Sequence, residues 1–262
     1  MFFSKKKPSA SYDPAVQRPA LRCSICTGEQ VAGFVHPDGH FEDVQLIRTP
    51  QELAAFRTRY GIDVSSFQGE IDWDAVADDN IDFAMVRVGF RGTGTGSLNT
   101  DKYYEQNIRG AMRAGLETGV YFFAQAVTVE EAIEEADYVI SLLDGLDING
   151  PVAYDWEMHD STYRVYGTSP EMATACAVAF CERIKDAGYT PMVYGGTYVT
   201  YMKYDQGALA DYLSWYPEYK SEKSEKLCPT LVYHMDYWQF SSSRAVAGIN
   251  GRVDMNIQFI RR

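Results

Sequence analysis

The sequence lacks the features that mark a membrane protein, a secreted precursor or a nucleic-acid-binding protein. It has no run of about 18 apolar residues, and residues 1–8 (MFFSKKKP) place lysines where a secretion signal needs an apolar stretch. Basic residues are also scarce, because 24 Lys and Arg stand against 36 Asp and Glu, a formal net charge of −12. Such a charge repels polyanions. We therefore expect no membrane span, no signal peptide and no nucleic-acid partner.

Cysteine is also sparse. The five residues, Cys23, Cys26, Cys176, Cys181 and Cys228, are odd in number and unevenly spread, so free thiols are expected rather than a disulfide framework. The first two precede His36 and His40, which together are the residue types of a zinc site. Only nine residues separate the two pairs, whereas zinc fingers need about twelve. This spacing favours a strand with small apolar side chains, and we expect no metal and no cofactor.

Apolar and aromatic residues are abundant instead. They make up 46% and 14% of the 262 residues, which is enough for the core of one large domain. Residues 1–22 are basic, contain prolines and lack apolar periodicity, which predicts a flexible tail. Residues 23–58 alternate apolar and polar side chains around a turn at 37–39 and a helix start at 49–52, which predicts a small hairpin-plus-helix appendage. The main domain is predicted over residues 59–262.

From residue 60 onward, short apolar runs alternate with amphipathic helical stretches. This pattern is typical of parallel strands joined by crossover helices. Eight strands are predicted, near residues 60–64, 82–88, 119–124, 152–157, 190–195, 212–216, 232–239 and 252–256. The clearest helix has a capping residue at Ser169, a proline in its first turn and Gly188 just beyond its end. With only about five helices for eight strands, we predict an α/β fold, an irregular TIM-like barrel whose last quarter lacks helices.

Four acidic residues fall at the ends of predicted strands. Asp155 and Glu157 end the fourth strand, and residues two apart in an extended chain point to the same face. Asp63 ends the first strand and Asp254 is placed at the end of the last, which barrel closure brings together. Parallel barrels build their active sites at the carboxyl ends of their strands. Clustered carboxylates raise the proton affinity of at least one member, so the four acids indicate a site for acid catalysis.

On these residues the sequence from Tyr60 to the end resembles the lysozymes of glycoside hydrolase family 25. The matching stretches, in order, are GIDVS (61–65), QG (68–69), IDW (71–73), GVYFFA (119–124), DWE (155–157), WYPEY (215–219), YWQFSS (237–242) and VDMN (253–256). Two positions depart from the family pattern: Phe122 stands where a histidine is frequent, and Pro217 where a small residue is usual. The family fold is an irregular barrel of eight strands and five helices.

The resemblance implies a hydrolase of bacterial peptidoglycan that cuts between N-acetylmuramic acid and N-acetylglucosamine, outside the cytoplasm. Glu157 would protonate the leaving oxygen, and Asp155 would stabilise positive charge or orient the acetamido group of the substrate. Asp63 and Asp254 would hold the substrate and tune the proton affinity of that pair. Aromatic residues at or beside strand ends are expected to line sugar subsites: Tyr121, Tyr194, Trp215, Tyr219 and Trp238.

Several alternatives stay open at this point. The acids are compatible with a direct nucleophile at about 5–5.5 Å, an inverting water at about 6.5–9.5 Å, or attack by the substrate's own N-acetyl group. A wall-binding module that keeps the barrel without turnover is the rival to the enzyme, and the appendage is a candidate contact region for an unknown partner. His159 lies near the predicted cleft and is expected to be structural. Export is expected through a phage-type lytic pore or a non-classical route.

Overall fold

The computed structural model describes residues 18–23, 30–36, 38, 40–47, 59–219 and 235–259. The predicted appendage helix falls within residues 48–58, which lie outside the described residues, as does most of the predicted tail. Residues 18–22 of that tail are a correction. They belong to strand β1 (Arg18–Cys23), because their backbone pairs in antiparallel register with the strand that follows.

Three strands precede the main domain and form a sheet of their own. Strands β1, β2 (Gln30–Val35) and β3 (Phe41–Ile47) are antiparallel and lie in that order. This N-terminal sheet has one strand more than a hairpin. Ala32 in β2 is fully buried against Trp238 and Ile257 of the main domain, so the sheet packs against the outside of that domain.

The main domain is a closed eight-stranded barrel, as the sequence predicts. Its strands, in chain order, are β4 (Arg59–Val64), β5 (Phe83–Arg91), β7 (Glu117–Ala124), β8 (Val152–Trp156), β9 (Pro191–Tyr194), β10 (Leu213–Pro217), β11 (Tyr237–Arg244) and β12 (Val253–Gln258). A short strand, β6 (Leu98–Thr100), extends β5 as a hairpin. Pairing of β4 with both β12 and β5 closes the barrel.

Five α-helices accompany these strands in the part of the chain that the structure describes. They are α1 (Trp73–Asp78), α2 (Tyr104–Arg113), α3 (Val129–Leu142), α4 (Pro170–Asp186) and α5 (Thr197–Met202). The start of α4 is capped as predicted, since the Ser169 side chain accepts a hydrogen bond from the Met172 backbone. Gly188 follows its end at φ 90°, a conformation that favours glycine. Cys176 and Cys181 on α4 are buried free thiols, as expected for this pair.

The direction of the last strand corrects one expectation. The pairings from β4 through β5, β7, β8, β9 and β10 to β11 are parallel, but β12 is antiparallel to both of its neighbours, β11 and β4. Asp254 therefore lies at the beginning of its strand, not at the end. Because this strand runs in reverse, Asp254 still reaches the rim formed by the carboxyl ends of the other strands, directly opposite Asp63.

Alternation along the strands divides the core into two layers. Outward-facing residues pack beneath the helices, whereas a smaller cluster fills the inside of the barrel with Phe83, Met85, Ala153, Met192, Tyr194, Trp215 and Tyr237. The opposite end is closed by polar groups. Arg59 bonds both Glu117 and Gln258, and Gln258 donates to the Tyr237 hydroxyl. The end with the four acids opens into a cleft.

Candidate active site

A cleft of about 220 Å³ occupies the carboxyl end of the barrel. All four predicted acids line it: Asp63, Asp155, Glu157 and Asp254. Four of the five predicted aromatic residues line it as well, namely Tyr121, Tyr194, Trp215 and Tyr219. The structure therefore brings together residues that are distant in sequence, as expected for a barrel active site.

Asp155 and Glu157 form a carboxyl pair at the end of β8. Their neighbour Trp156 points outward and donates from Nε1 to the Ala126 carbonyl at 3.1 Å, which fixes the strand end. Asp155 is buried, and burial together with the adjacent Glu157 carboxylate raises its pKa well above the usual range. The two carboxyl groups are within hydrogen-bonding contact, which favours a proton shared between them. Asp155 Oδ1 is a buried atom without a hydrogen-bond partner among the described residues.

Glu157 is the more accessible member, with 24% of its side chain exposed. Gln125 Nε2 donates to the Glu157 carbonyl at 2.8 Å, and the Gln125 backbone is itself held by buried Glu135 at 3.0 Å. His159 Nε2 lies 2.6 Å from Glu157 Oε2, and the His159 ring packs edge-on against Tyr163. This contact places His159 beside one of the four predicted acids.

Asp63 sits deeper and is bracketed by two amides. Gln239 Nε2 and Asn256 Nδ2 both donate to Asp63 Oδ2 at 2.8 Å. These bonds favour the carboxylate, yet burial, and next the charge of Asp254, raise the pKa of Asp63 to about 8. Burial also raises the pKa of Asp254. The balance of these effects therefore favours a protonated Asp63 that is hydrogen-bonded to Asp254.

The same amides tie the aromatic residues into the site. Gln239 Oε1 accepts hydrogen bonds from the hydroxyls of Tyr194 at 3.1 Å and Tyr219 at 3.0 Å. Asn256 Oδ1 accepts one from Trp215 Nε1 at 2.8 Å. Sequence reasoning missed both amides. They stand two residues after Tyr237 and Asp254, so strand alternation could have placed them on the inner face.

Arg87 brings a positive charge to the cleft wall. Its guanidinium bonds Asp101 Oδ2 through Nε at 2.9 Å and Nη2 at 2.8 Å, and it reaches Ser66 Oγ at 3.2 Å. The Arg87 charge also lowers the pKa of Asp155 and so partly opposes the effect of burial. This residue was not predicted, since nothing in the local sequence separates it from other strand arginines.

Trp238 does not belong to the cleft, which corrects its predicted role. It is 2% exposed, packs with Ala32 and Ile257 beneath the N-terminal sheet, and donates from Nε1 to the Glu218 carbonyl. The reason is strand alternation. Tyr237 and Gln239 face the barrel interior, so the residue between them must face outward.

The structure gives no site for a metal ion among the residues it describes, since no group of three or more His, Cys, Asp or Glu could hold one. His36 Nε2 bonds Glu42 at 2.9 Å, and its ring centroid lies 5.8 Å from that of His40. Cys26, Cys228 and the Cys23 side chain lie outside the described residues. The helices in the described ranges are all too short or too polar to cross a membrane.

Comparison with known proteins agrees with this architecture. The chain is 26% identical over 197 residues to an autolytic lysozyme of Clostridium acetobutylicum, covering 75% of this chain and 54% of the relative. It is 27% identical over 201 residues to Lysozyme M1 of Streptomyces globisporus, covering 75% and 66%. The chain thus spans about half the length of the first relative and two thirds of the second.

Solved structures share the fold. A bacterial lysozyme from Streptomyces coelicolor superposes with a TM-score of 0.60 at 24% identity, covering 76% of this chain and 90% of that one. The modular autolysin LytC from Streptococcus pneumoniae, solved with a synthetic peptidoglycan ligand, gives a TM-score of 0.65 at 22% identity, covering 89% and 57%. The family model described as glycosyl hydrolases family 25 matches residues 62–249, which include Asp63, Asp155 and Glu157. Since that match extends over well more than half of the chain and over the barrel that carries the acids, this protein belongs to glycosyl hydrolases family 25.

Proposed function

We propose that this protein is a peptidoglycan hydrolase that cleaves the β-1,4 bond between N-acetylmuramic acid and N-acetylglucosamine. Membership of a glycoside hydrolase family and similarity to two lysozymes support this reaction. The observation that carries it is the convergence of four carboxyl groups in one cleft, with Glu157 at its mouth and Asp155 buried behind. Its place of action is the cell wall outside the cytoplasm, where this polymer lies.

Glu157 acts as the general acid in this proposal. It lines the cleft, is partly exposed to an incoming substrate, and contacts Asp155, with which it shares a proton. Transfer of that proton to the glycosidic oxygen allows the carbon–oxygen bond to break, and water finally supplies hydroxide to the anomeric carbon and restores the proton. The raised proton affinity of Asp155 favours retention of this proton at the site.

Asp155 has two linked tasks. When the proton moves to Glu157, Asp155 becomes a buried carboxylate that stabilises the positive charge developing on the sugar ring. Its buried Oδ1 lacks a partner among the described residues, and in this proposal it accepts the acetamido N–H of the substrate. The hydrogen-bonded pair of Asp63 and Asp254, which shares one proton, forms the adjoining wall and helps to hold the substrate.

The division of the chain follows from the site. We propose that residues 59–262 form the catalytic domain, because every residue lining the cleft belongs to it. Strands β1, β2 and β3 belong to a separate appendage on the barrel exterior, where Ala32 packs against Trp238 and Ile257.

Digestion of purified peptidoglycan tests the proposal. Wild-type protein and Glu157→Gln are incubated with the polymer, and the soluble fragments are reduced and analysed by mass spectrometry. Fragments with reduced muramic ends from the wild type, and a loss of about 10²–10⁴-fold in rate for the variant, are expected when a general acid is removed. Glu105→Gln, which replaces an exposed glutamate on α2, is the matched control and should keep the wild-type rate.

Three other results would contradict the proposal. Reduced glucosamine ends would mean that the other glycosidic bond is cut. Full activity of Glu157→Gln would remove this residue from the acid role. Retention of peptidoglycan by both proteins without release of fragments would favour a glycan-binding module on the same barrel.

A further inference from the structure

Phe67 stands out among the residues that line the cleft. It is 85% exposed, the highest value among the exposed large apolar side chains of the described residues. The other aromatic residues at this site are engaged differently: Tyr194 and Trp215 are buried, and Tyr219 is bonded to Gln239. A single exposed apolar residue is ordinary on a protein surface. Phe67 differs from such a residue because it lies at the mouth of the cleft and because hydrogen bonds and a cation–π contact hold it there.

The backbone that carries Phe67 is fixed from both sides. Ser65 and Gln68 form a capping box around the short 3₁₀ turn 66–68: the Ser65 hydroxyl accepts from the Phe67 backbone at 3.2 Å, and Gln68 Oε1 accepts from the Ser65 backbone at 2.8 Å. The Ser66 backbone donates to buried Asp101 at 2.9 Å. The turn is therefore tied to the barrel rather than free to fold its aromatic ring inward.

The ring itself is also oriented. The Arg87 guanidinium carbon lies 5.1 Å from the Phe67 ring centroid, a cation–π contact. Asp101 holds this guanidinium through two hydrogen bonds, and a third reaches Ser66 in the same turn. One side of the ring thus meets a charge that is held in place, while most of the ring surface stays open to solvent.

An open ring of this kind fits one class of ligand at a glycan-cleaving site. A pyranose presents an apolar face of C–H groups, and the electron-rich face of an aromatic ring packs against it and excludes water from both surfaces. Phenylalanine has no hydroxyl, so it recognises this face and not a particular hydroxyl pattern. We infer that Phe67 forms a sugar-stacking subsite that binds a pyranose of the glycan strand outside the pair of sugars being cleaved.

The barrel order places this subsite away from the bond that breaks. Phe67 follows β4, whereas the carboxyl pair ends β8, and strands β5 and β7 lie between them. A strand of sugars that reaches both positions must extend across the mouth of the cleft. This inference rests on the proposed function for its substrate class and adds a residue that binds the polymer rather than reacting with it.

Kinetics on two substrate lengths test the subsite. Wild-type protein, Phe67→Ala and Phe67→Tyr are assayed on peptidoglycan glycan strands freed of stem peptides and on a tetrasaccharide of the same repeat. For Phe67→Ala we expect KM on the strands to rise roughly five- to tenfold, as loss of a partly covered aromatic ring predicts, with kcat within about twofold. The tetrasaccharide should be less affected, and Phe67→Tyr should restore most of the affinity.

Tyr198→Ala is the matched control, because Tyr198 on α5 is also exposed (54%) but does not line the cleft. It should leave both constants unchanged. Binding of fluorescent glycan strands to Glu157→Gln, with and without Phe67→Ala, measures the same loss without turnover. Unchanged KM and binding for Phe67→Ala would overturn the subsite, and an equal loss on both lengths would overturn its outer position. Failure of the wild type to release fragments from peptidoglycan would instead contradict the proposed function.

Discussion

The protonation state of Asp63 depends on opposing effects of its surroundings. Two amides donate to one oxygen and favour the charged form, while burial and the Asp254 carboxylate favour the neutral form. Burial is the largest of these effects, so the pKa rises from 3.8 to about 8. The two amide hydrogen bonds therefore orient a neutral carboxyl group. Its acceptor oxygen faces Gln239 and Asn256, and its proton is shared with Asp254.

The free energy of unfolding should consequently fall as pH rises from the ordinary pKa of 3.8 to the raised pKa of about 8. Below about pH 4 the folded and unfolded chains both carry the Asp63 proton. From there to about pH 8 only the folded chain keeps it, so the free energy of unfolding decreases by at most about 1.4 kcal/mol per pH unit from this group. Asp63→Asn imitates the neutral form, since its amide oxygen can accept from Gln239 and Asn256 and its amide nitrogen can donate to Asp254. Urea unfolding at several pH values should show that the free energy of unfolding of this variant changes less with pH than that of the wild type.

The control is Asp74→Asn, which removes an exposed carboxylate from α1 and should keep the wild-type dependence of the free energy of unfolding on pH. The same pH dependence for wild type and Asp63→Asn would show that Asp63 is ionised in the folded protein.

Among the site residues, the sequence predicted the charged side chains better than the uncharged side chains that hold them in place. The four acids were found because a strand-end carboxylate is a recognisable signal in a barrel. Gln239 and Asn256 were missed because an uncharged amide gives no comparable signal, although the same alternation places both inside. Trp238 was misplaced for the opposite reason, since its aromatic character was weighed without the register of its strand.

Among the elements, the contact between α1 and α2 depends on the smallest residue. Gly110 of α2 lies against the indole of Trp73, which opens α1 and is almost completely buried. A methyl group at position 110 would overlap with this ring, with Trp73 Nε1 only 2.7 Å from the added carbon. Glycine therefore lets the two helices approach beside β5, at the expense of helix propensity.

Gly110→Ala should destabilise the protein although alanine is the better helix former. Alanine gains about 1 kcal/mol in a helix, whereas overpacking a tight core commonly costs about 1–3 kcal/mol. We expect a net loss in the free energy of unfolding, measured in urea. Gly167→Ala, where an added carbon meets no atom within 4 Å, is the control and should be close to neutral. Equal or higher stability of Gly110→Ala would mean that Trp73 moves aside without loss.

Most strand positions were predictable, but the direction of the last strand was not. Seven short apolar runs marked their barrel strands closely, because strands that are buried on both faces are apolar along their length. The run predicted at 232–239 overlaps β11 only at residues 237–239. Whether β12 runs parallel or antiparallel depends on its pairing with β11 and β4, which is a tertiary property. A hairpin-like return from β11 to β12 needs no crossover helix, which is consistent with a last quarter poor in helices.

For the molecule as a whole, the N-terminal sheet covers an apolar surface of the barrel. Deleting residues 1–58 removes Ala32 from Trp238 and Ile257 and should expose both. All four tryptophans are almost fully buried in the complete chain, so a gain in acrylamide quenching of fluorescence would report this exposure. We also expect a lower free energy of unfolding for the shortened protein.

The rate on peptidoglycan distinguishes the roles open to the appendage. None of its described residues lines the cleft, so a covering role predicts an unchanged rate per folded molecule. A faster shortened protein would indicate inhibition by the appendage. Unchanged quenching would contradict the packing of the sheet on Trp238.

The antiparallel β12 also governs when the site can exist during synthesis. The hydrogen bond from Asn256 to Asp63 joins residues 193 positions apart, and β4 pairs with β12 along its length. Early segments that emerge from the ribosome can form helices and neighbouring strand pairs, but contacts of such long range form late. A growing chain without β12 has neither the Asn256 donor nor Asp254 beside Asp63. The carboxyl cluster therefore assembles only after almost the whole barrel has been translated, so an unfinished chain carries no complete cleft.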